Sequence, residues 1–346
     1  MTEPKEIVFE KQEIERFFIN AIIQAELEQR SKKSTKRKKA IILAGPTGCG
    51  KSALGMILAK LIGGEIISAD SMQVYRGMDI GTAKPSKEEM LEVPHHLIDI
   101  RDVSECFNVV DFYYEVKRCL QEITDRDSIP VIIGGSGFYI HALLYGPPSG
   151  PPSVPSLRKV LEQEMAEKGA DGLYEKLKLF DEEYAKTISI HDKHKIIRAL
   201  EIIELTGQKV SKLSWRERVC PLDYDFRCWF LHRPRSSLYR RIEKRCEKMV
   251  KQGLVEEVKG LENKGIRENP SAFQAIGYRQ TLEYLESKQA DADFQEYLLK
   301  FKKASRNYAK RQFTWFRRET IFRWLDLDLH DPETAVDIIL TDLDRR

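Results

Sequence analysis

The sequence lacks paired cysteines. Its six cysteines, at positions 49, 106, 119, 220, 228 and 246, are scattered and form no C-x-x-C pair. That excludes the usual structural zinc sites and leaves buried, reduced thiols of a cytosolic protein as the plain reading. Long apolar runs are missing too. None approaches the roughly 20 residues that cross a bilayer, and the N-terminus is charged, so no signal peptide and a soluble, cytoplasmic protein are expected. Nor is there an excess of one charge. The 57 basic and 54 acidic side chains leave a net +3, so any nucleic-acid signature must be local. With 346 residues the chain can bury one large core or two modest ones.

What is present centres on one octapeptide, Gly45-Pro46-Thr47-Gly48-Cys49-Gly50-Lys51-Ser52. It fits a glycine, four free positions, then Gly-Lys-Ser, the phosphate-binding loop. The glycines let backbone N–H groups turn toward an anion, and the helix that follows presents its positive end. Lys51 reaches outer phosphate oxygens and the Ser52 hydroxyl can hold Mg²⁺. Residues 40–44 read as the buried strand entering the loop, and 52–60 as the helix leaving it.

Ahead of this core, residues 1–39 combine a helix-like stretch with the run Ser31-Lys32-Lys33-Ser34-Thr35-Lys36-Arg37-Lys38-Lys39. It is either a basic arm on a phosphate backbone or a solvated linker. A second strand at 65–68 ends in Asp70-Ser71-Met72-Gln73. Ligands of open α/β sheets lie beyond the carboxyl ends of strands, so Asp70 is aimed at whatever the loop holds. It is a general base, an indirect Mg²⁺ holder or a plain surface cap. His95, in Pro94-His95-His96, helps hold the site at most, and Asp111 reads as a helix cap. A third strand, 129–133, ends in Gly134-Gly135-Ser136 rather than an acidic residue. That argues against a hydrolysing motor or switch protein and for a transferase whose acceptor approaches closely.

The run Gly146-Pro147-Pro148-Ser149-Gly150-Pro151-Pro152-Ser153 marks a hinge. The expected organisation is an extension with a basic linker (1–39), a core (40–146), an inserted helical subdomain (147–222), a return to the core with basic-aromatic helices (223–325) and a tail (326–346). In the return, Arg241 and Arg245 lie one helical turn apart and either clamp one anion or form a solvated basic face. Residues 272–280 read as a loop feeding a helix. Residues 303–318 form a basic helix interleaved with aromatics, suited to phosphate contact and base stacking or to burying those rings. The fold class is α/β: a phosphate-loop NTPase-like parallel sheet flanked by helices, with an inserted helical subdomain.

These motifs together resemble the tRNA isopentenyltransferase family of bacterial type. The match rests on residues 45–52, 70–85, 94–99, 134–139, 276–280 and 308–312, in the family's order. Ser136 stands where a threonine is usual, Phe138 where a leucine is, and Lys195 where arginine is frequent. No zinc finger like that of eukaryotic members is seen. The resemblance implies transfer of a dimethylallyl group from its diphosphate to the N6 amine of the adenosine 3′ to the anticodon. It implies Asp70 as general base, with Thr47, Arg241 and Arg245 beside the diphosphate and Mg²⁺ on Ser52. It implies tRNA contacts at Asp70, Ser71, Met72, Gln73, Ser136, Arg158, His194, Lys195, Ile196, Ile197 and Arg198, and at Gln274, Ala275, Ile276, Gly277, Tyr278, Arg279 and Gln280. A monomer suffices. Competing readings are an adenylate isopentenyltransferase acting on free nucleotide, an ATP-using small-molecule kinase, and a binding module without catalysis.

Overall fold

The computed structural model describes residues 37–148, 150–213 and 222–344. Strand and helix alternate at first: β1 (Lys38–Ala44), α1 (Lys51–Ile62), β2 (Glu65–Ala69), α2 (Lys87–Glu92), β3 (His95–His96), α3 (Val109–Asp125), β4 (Pro130–Gly134) and α4 (Gly137–Tyr145). Helices α5 (Pro155–Phe180), α6 (Glu182–Ala185) and α7 (Lys193–Thr206) follow. The chain then returns through β5 (Tyr224–His232), α8 (Arg235–Lys251), α9 (Leu254–Glu262), α10 (Pro270–Phe273), α11 (Tyr278–Leu285), α12 (Asp291–Phe316), β6 (Arg323–Asp326) and α13 (Pro332–Asp344).

The strands pair in parallel in the order β3-β2-β4-β1-β5-β6. Every residue of β2 and β4 is buried. A strand covered on both faces is free to carry adjacent apolar residues, which is why these segments centre on Ile66-Ile67 and Val131-Ile132-Ile133 rather than alternating. From β1 the chain moves to β2 on one side. From β4 it later moves to β5 on the other, so the direction of winding reverses around β1. In such a sheet the crevice opens at the carboxyl ends of the strands flanking the reversal. The loops at 45–50, 70–84 and 135–136 meet there. This is the expected phosphate-loop NTPase-like α/β architecture.

The described residues fall into two compact units, one of 148 and 150–213 and one of 37–147 and 222–344. The first holds the insert. Its core includes Leu161, Leu173, Leu177, Ile196, Ile197 and Leu200. Glu201 is fully buried there and accepts from Ser153 Oγ (2.5 Å), Val154 N (2.8 Å) and Arg198 Nη1 (2.7 Å). One acidic side chain thus fastens the proline-rich entry to α7. Among the described residues no helix is long and apolar enough to cross a membrane.

Several local expectations are corrected. Lys38 and Lys39, counted with the basic linker, begin β1. Lys38 Nζ donates to Thr124 Oγ1 (3.0 Å) and Lys39 Nζ to the Leu343 carbonyl, so these two cations are engaged within the fold. The reading of residues 31–36 as an arm or linker lies outside the described residues. Asp111 is not the N-cap of α3. Asn108 is, accepting from Val110 N and Asp111 N, while Asp111 accepts from Asn108 N in a capping box. His95 sits in the edge strand β3, bonded to the Val93 carbonyl (2.7 Å). Residues 326–346 contain α13, whose Ala335, Val336, Ile339 and Leu343 are buried.

Gly134 belongs where β4 lies closest to β2. A Cβ there would stand 2.2 Å from the Ala69 carbonyl oxygen, a backbone atom that cannot step aside. We expect Gly134→Ala to lower unfolding free energy by roughly 3 kcal/mol. Gly260→Ala, inside α9 with nothing within 4 Å of the new methyl, should raise it by about 0.5–1 kcal/mol. Urea denaturation of the two variants checks the pair, and equal shifts would contradict this packing.

Candidate active site

The phosphate loop is held from outside by the second half of the chain. At its start Gly45 passes so close to β5 that a Cβ would lie 2.5 Å from the Leu231 carbonyl oxygen. Gly48 (φ 80°) and Gly50 (φ 107°) take the left-handed backbone that the turn into α1 requires. Arg241 Nε, from α8, donates to the Gly48 carbonyl (2.9 Å). Arg233 Nε donates to the Cys49 carbonyl (2.7 Å). These contacts hold two carbonyls of the turn, and the Cys49 N–H bonds back to the Pro46 carbonyl (3.3 Å). No side chain caps the N-terminus of α1, so its end is left for a ligand.

Thr47 is gripped twice. Its N–H donates to Gln312 Oε1 (2.9 Å), and Gln312 Nε2 donates to the Gly135 carbonyl (2.9 Å). Its hydroxyl accepts from Arg245 Nη1 (2.9 Å). Gln312 is 4% exposed and so ties the ends of β1 and β4 to α12 in a dry setting. Burial lowers the pKa of the Lys51 ammonium, with Arg245 acting in the same direction and Cys49 and Asp70 against. Burial also lowers that of the Arg245 guanidinium, with Asp70 opposing. Two cations are thus kept in poorly solvated surroundings, an arrangement that an entering anion would relieve.

Asp70, at the end of β2, fixes one carboxylate oxygen by accepting from Met72 N (2.9 Å). Beside it, Ser71 N donates to Ser136 Oγ (3.4 Å). Burial, with the Asp70 charge adding to it, pushes the Tyr308 phenol up to about 12, so that hydroxyl remains a donor near neutral pH. The loop after Asp70 is shaped by a residue the sequence reading passed over. Glu257, on α9, accepts from the N–H groups of Asp79 (3.0 Å), Ile80 (2.6 Å) and Gly81 (3.1 Å) and from Tyr278 OH (2.7 Å). Gln73 continues the brace, accepting from Ser68 Oγ (2.8 Å) and donating to the Thr82 and Ala83 carbonyls.

These elements enclose a cavity of about 310 Å³. Its lining includes Thr47, Asp70 and Arg245 together with Ile242, Cys246, Met249 and Phe301. The cavity offers anion contacts, a carboxylate and an apolar wall within a single space.

A family model described as IPP transferase matches residues 73–319. The chain belongs to the IPP transferase family. It is 60% identical over 333 residues to a protein of Protochlamydia amoebophila named tRNA dimethylallyltransferase, covering 96% of this chain and 97% of that one. A Chlamydia pneumoniae protein of the same name is 52% identical over 292 residues, 84% and 85% of the two chains. Among solved structures, the full-length tRNA isopentenylpyrophosphate transferase of Bacillus halodurans is similar at TM-score 0.65 and 38% identity, over 89% of this chain and 97% of that one. A eukaryotic dimethylallyltransferase acting on tRNA is similar at TM-score 0.72 and 27% identity, over 88% and 80%.

Within this IPP transferase fold the expected site residues separate into groups. Thr47, Asp70, Ser71, Met72, Arg245, Gln274, Ala275, Ile276 and Tyr278 line the cavity. Arg241 instead spends its Nε on the outer side of the loop. Gly277 and Gln280 are buried, with Gly277 N donating to Gln280 Oε1 (2.8 Å), so they shape the turn into α11. Arg279 is exposed and donates to Gln274 Oε1 (3.3 Å). In the helical unit, His194 and Lys195 are exposed and Arg158 pairs with Glu162 (3.1 Å). Ile196 and Ile197 are corrected as RNA contacts, since both side chains sit in that unit's core, and Arg198 is bound to Glu201 and the Pro151 carbonyl. Gln312 was inside a recognised motif, yet only the folded contacts give it a task.

The Ser52 hydroxyl is a hard oxygen donor of the kind Mg²⁺ accepts. Ser52 is exposed at the start of α1, and among the described residues no cluster of three or more His, Cys, Asp or Glu could enclose a metal.

Gln312→Leu keeps the volume but strands the Thr47 N–H and the Gly135 carbonyl. We expect a loss of roughly 2–4 kcal/mol in stability from two buried orphans, read by thermal denaturation, together with weaker diphosphate binding by calorimetry. Arg245→Ala should reduce kcat/KM by about 100-fold or more. Arg241→Ala, with its contact on the far side of the loop, should reduce it by about tenfold. The reverse order would refute this division of labour.

Proposed function

We propose that this protein transfers the dimethylallyl group of dimethylallyl diphosphate to the N6 amine of the adenosine 3′ to the anticodon in tRNA. The observation that carries it is Asp70 in one cavity with both Thr47 and Arg245 and with an apolar wall. A diphosphate needs the cation and hydroxyl, a five-carbon alkenyl group the apolar side chains, and an attacking amine a base. The names of the relatives support the same reading.

In the proposed reaction the amine nitrogen attacks C1 of the donor. The bond from C1 to the bridging oxygen breaks, and its electron pair leaves with diphosphate. Lys51, Arg245 and the uncapped N-terminus of α1 oppose the charge that grows on the departing oxygen. An adenine amine is weakly nucleophilic because its lone pair is shared with the ring. Asp70 takes the proton that the nitrogen releases, giving N6-(dimethylallyl)adenosine. Mg²⁺ held by Ser52 would add charge stabilisation at the diphosphate. Exclusion of water by Ile242, Met249 and Phe301 protects a carbon with developing positive character from hydrolysis. The target base must leave the anticodon-loop stack to reach this enclosure. The exposed His194 and Lys195 of the helical unit supply surface for the flanking RNA. The enzyme is read as a cytoplasmic monomer, in the compartment of its tRNA substrate.

Purified protein with Mg²⁺ and labelled donor, offered an anticodon stem-loop and free AMP in parallel, tests this. Label is expected on the stem-loop adenosine. Label on AMP alone would make it a nucleotide prenyltransferase. Asp70→Asn should retain donor affinity within about twofold while single-turnover transfer falls by about 100-fold or more. A near-normal rate would remove Asp70 as the base.

A further inference from the structure

Beside the cavity mouth, the carboxyl end of α12 and the start of α4 leave two large aromatic rings uncovered. Trp315 is 39% exposed and Phe138 is 41% exposed. The two meet edge to face, with centroids 6.3 Å apart and planes at 71°. Their seat is built. A Cβ on Gly137 would lie 2.4 Å from Trp315 Cδ1, so the indole rests on a position only glycine can occupy. On its flank, His141 stands edge-on to the indole (6.3 Å, 86°) and its Nδ1 pairs with Glu319 Oε1 (3.0 Å). Glu319, 5% exposed, also accepts from Tyr145 OH (3.3 Å). The ring is therefore fixed in place although its face is open to water.

The charge around it is one-sided. Along the earlier part of α12, cations are engaged within the protein: Lys300 with Glu296, Lys302 with Glu247, and Arg306 with Glu243. Around the exposed rings, Lys310, Arg311, Arg317 and Arg318 are all exposed, and none of the ion pairs among the described residues includes them. Fixed, uncovered aromatic faces ringed by unneutralised cations are what single-stranded nucleic acid requires: bases stack on the rings while phosphates meet the charges. The position narrows the occupant. Phe138 is two residues from Ser136, whose Oγ accepts from Ser71 N beside Asp70, and Arg311 lines the reaction cavity itself.

We propose that Trp315, with Phe138, is a stacking platform for the nucleotide adjoining the target adenosine. It would take up the neighbouring base as the target turns out of the anticodon loop, and Arg317 and Arg318 would meet the backbone beside it. This rests on the tRNA reading above and adds a recognition surface to it. Extruding one base deprives its neighbour of a stacking partner, and an indole at the mouth replaces it.

The test uses full-length protein and an anticodon stem-loop bearing 2-aminopurine on one or the other side of the target adenosine. Binding is expected to quench the probe on one side only. Trp315→Leu should abolish the quench, raise the Kd and KM for the stem-loop by about tenfold, and leave the donor Kd and kcat at saturating RNA within about twofold; Trp315→Tyr should restore most of the affinity. Phe138→Ala probes the same platform without disturbing the Gly137 seat and should weaken stem-loop binding by about threefold to tenfold. If both variants bind and quench like the parent protein while prenyl transfer to the stem-loop persists, the platform is disproved and the enzyme reading stands. If the parent protein transfers nothing to the stem-loop, the enzyme reading fails and the platform fails with it.

Discussion

The double hold on Thr47 governs the site. Its N–H is committed to Gln312 and its hydroxyl to Arg245, two side chains from helices far along the chain. A glycine-rich loop by itself has many conformations of similar energy, since glycine surrenders more backbone freedom on folding than any other residue. Here the freedom is removed by side chains that hold individual groups of the loop: Gln312 at Thr47 N, Arg241 at the Gly48 carbonyl, and Arg233 at the Cys49 carbonyl. The sheet supplies the position of the loop, and the return half of the chain supplies its shape. Folding of residues 222–344 is therefore a condition for the first half to present an anion site.

That dependence explains which parts could be read from sequence. The phosphate loop, its strand and its helix were legible because each rests on local rules: a glycine spacing, a buried apolar run and a helix leaving the loop. The parallel sheet was legible too, since strands covered on both faces show as apolar runs between turn signals, but the order of its strands was not. Asp70 could be placed because a strand end in such a sheet points at the ligand. The site's remaining walls depend on pairing between distant segments. Nothing local distinguishes Glu257 from the other acidic residues of α9, yet it gathers three amides of the 79–81 turn and the Tyr278 hydroxyl. The same limit explains Ile196 and Ile197. A motif names a run of adjacent positions, but a helix turns about 100° per residue, so a five-residue run cannot present all of its side chains to one partner.

Arg241 and Arg245 show how one spacing serves two purposes. Both descend from α8 onto the loop, as their separation of one turn allows. Arg245 reaches the Thr47 hydroxyl inside the cavity, whereas Arg241 reaches the Gly48 carbonyl on the outer side. Had both entered the cavity, a second guanidinium would have been desolvated beside Lys51, where burial already disfavours the charged ammonium. Dividing them lets one cation face the ligand while the other is spent, half in water, on the loop backbone.

The same helix also sets the distance between charge and grease. Met249 follows Arg245 by one turn, an axial step of about 6 Å, and both border the cavity. Opposite them α12 runs beside α8, with Cys246 Sγ and Ser305 Oγ in contact (3.4 Å) and Phe301 one turn farther along. The step from cationic to apolar wall thus follows the helix repeat, with no separate loop needed to make it. In the proposed reaction that step corresponds to the change from diphosphate to alkenyl chain in the donor. In that reaction Asp70, one oxygen already committed to Met72 N, takes the acceptor's proton while the cations take the departing diphosphate. One cavity thus holds a carboxylate, a guanidinium and apolar side chains, and its α8 side rests on the same α8–α12 packing that holds Thr47.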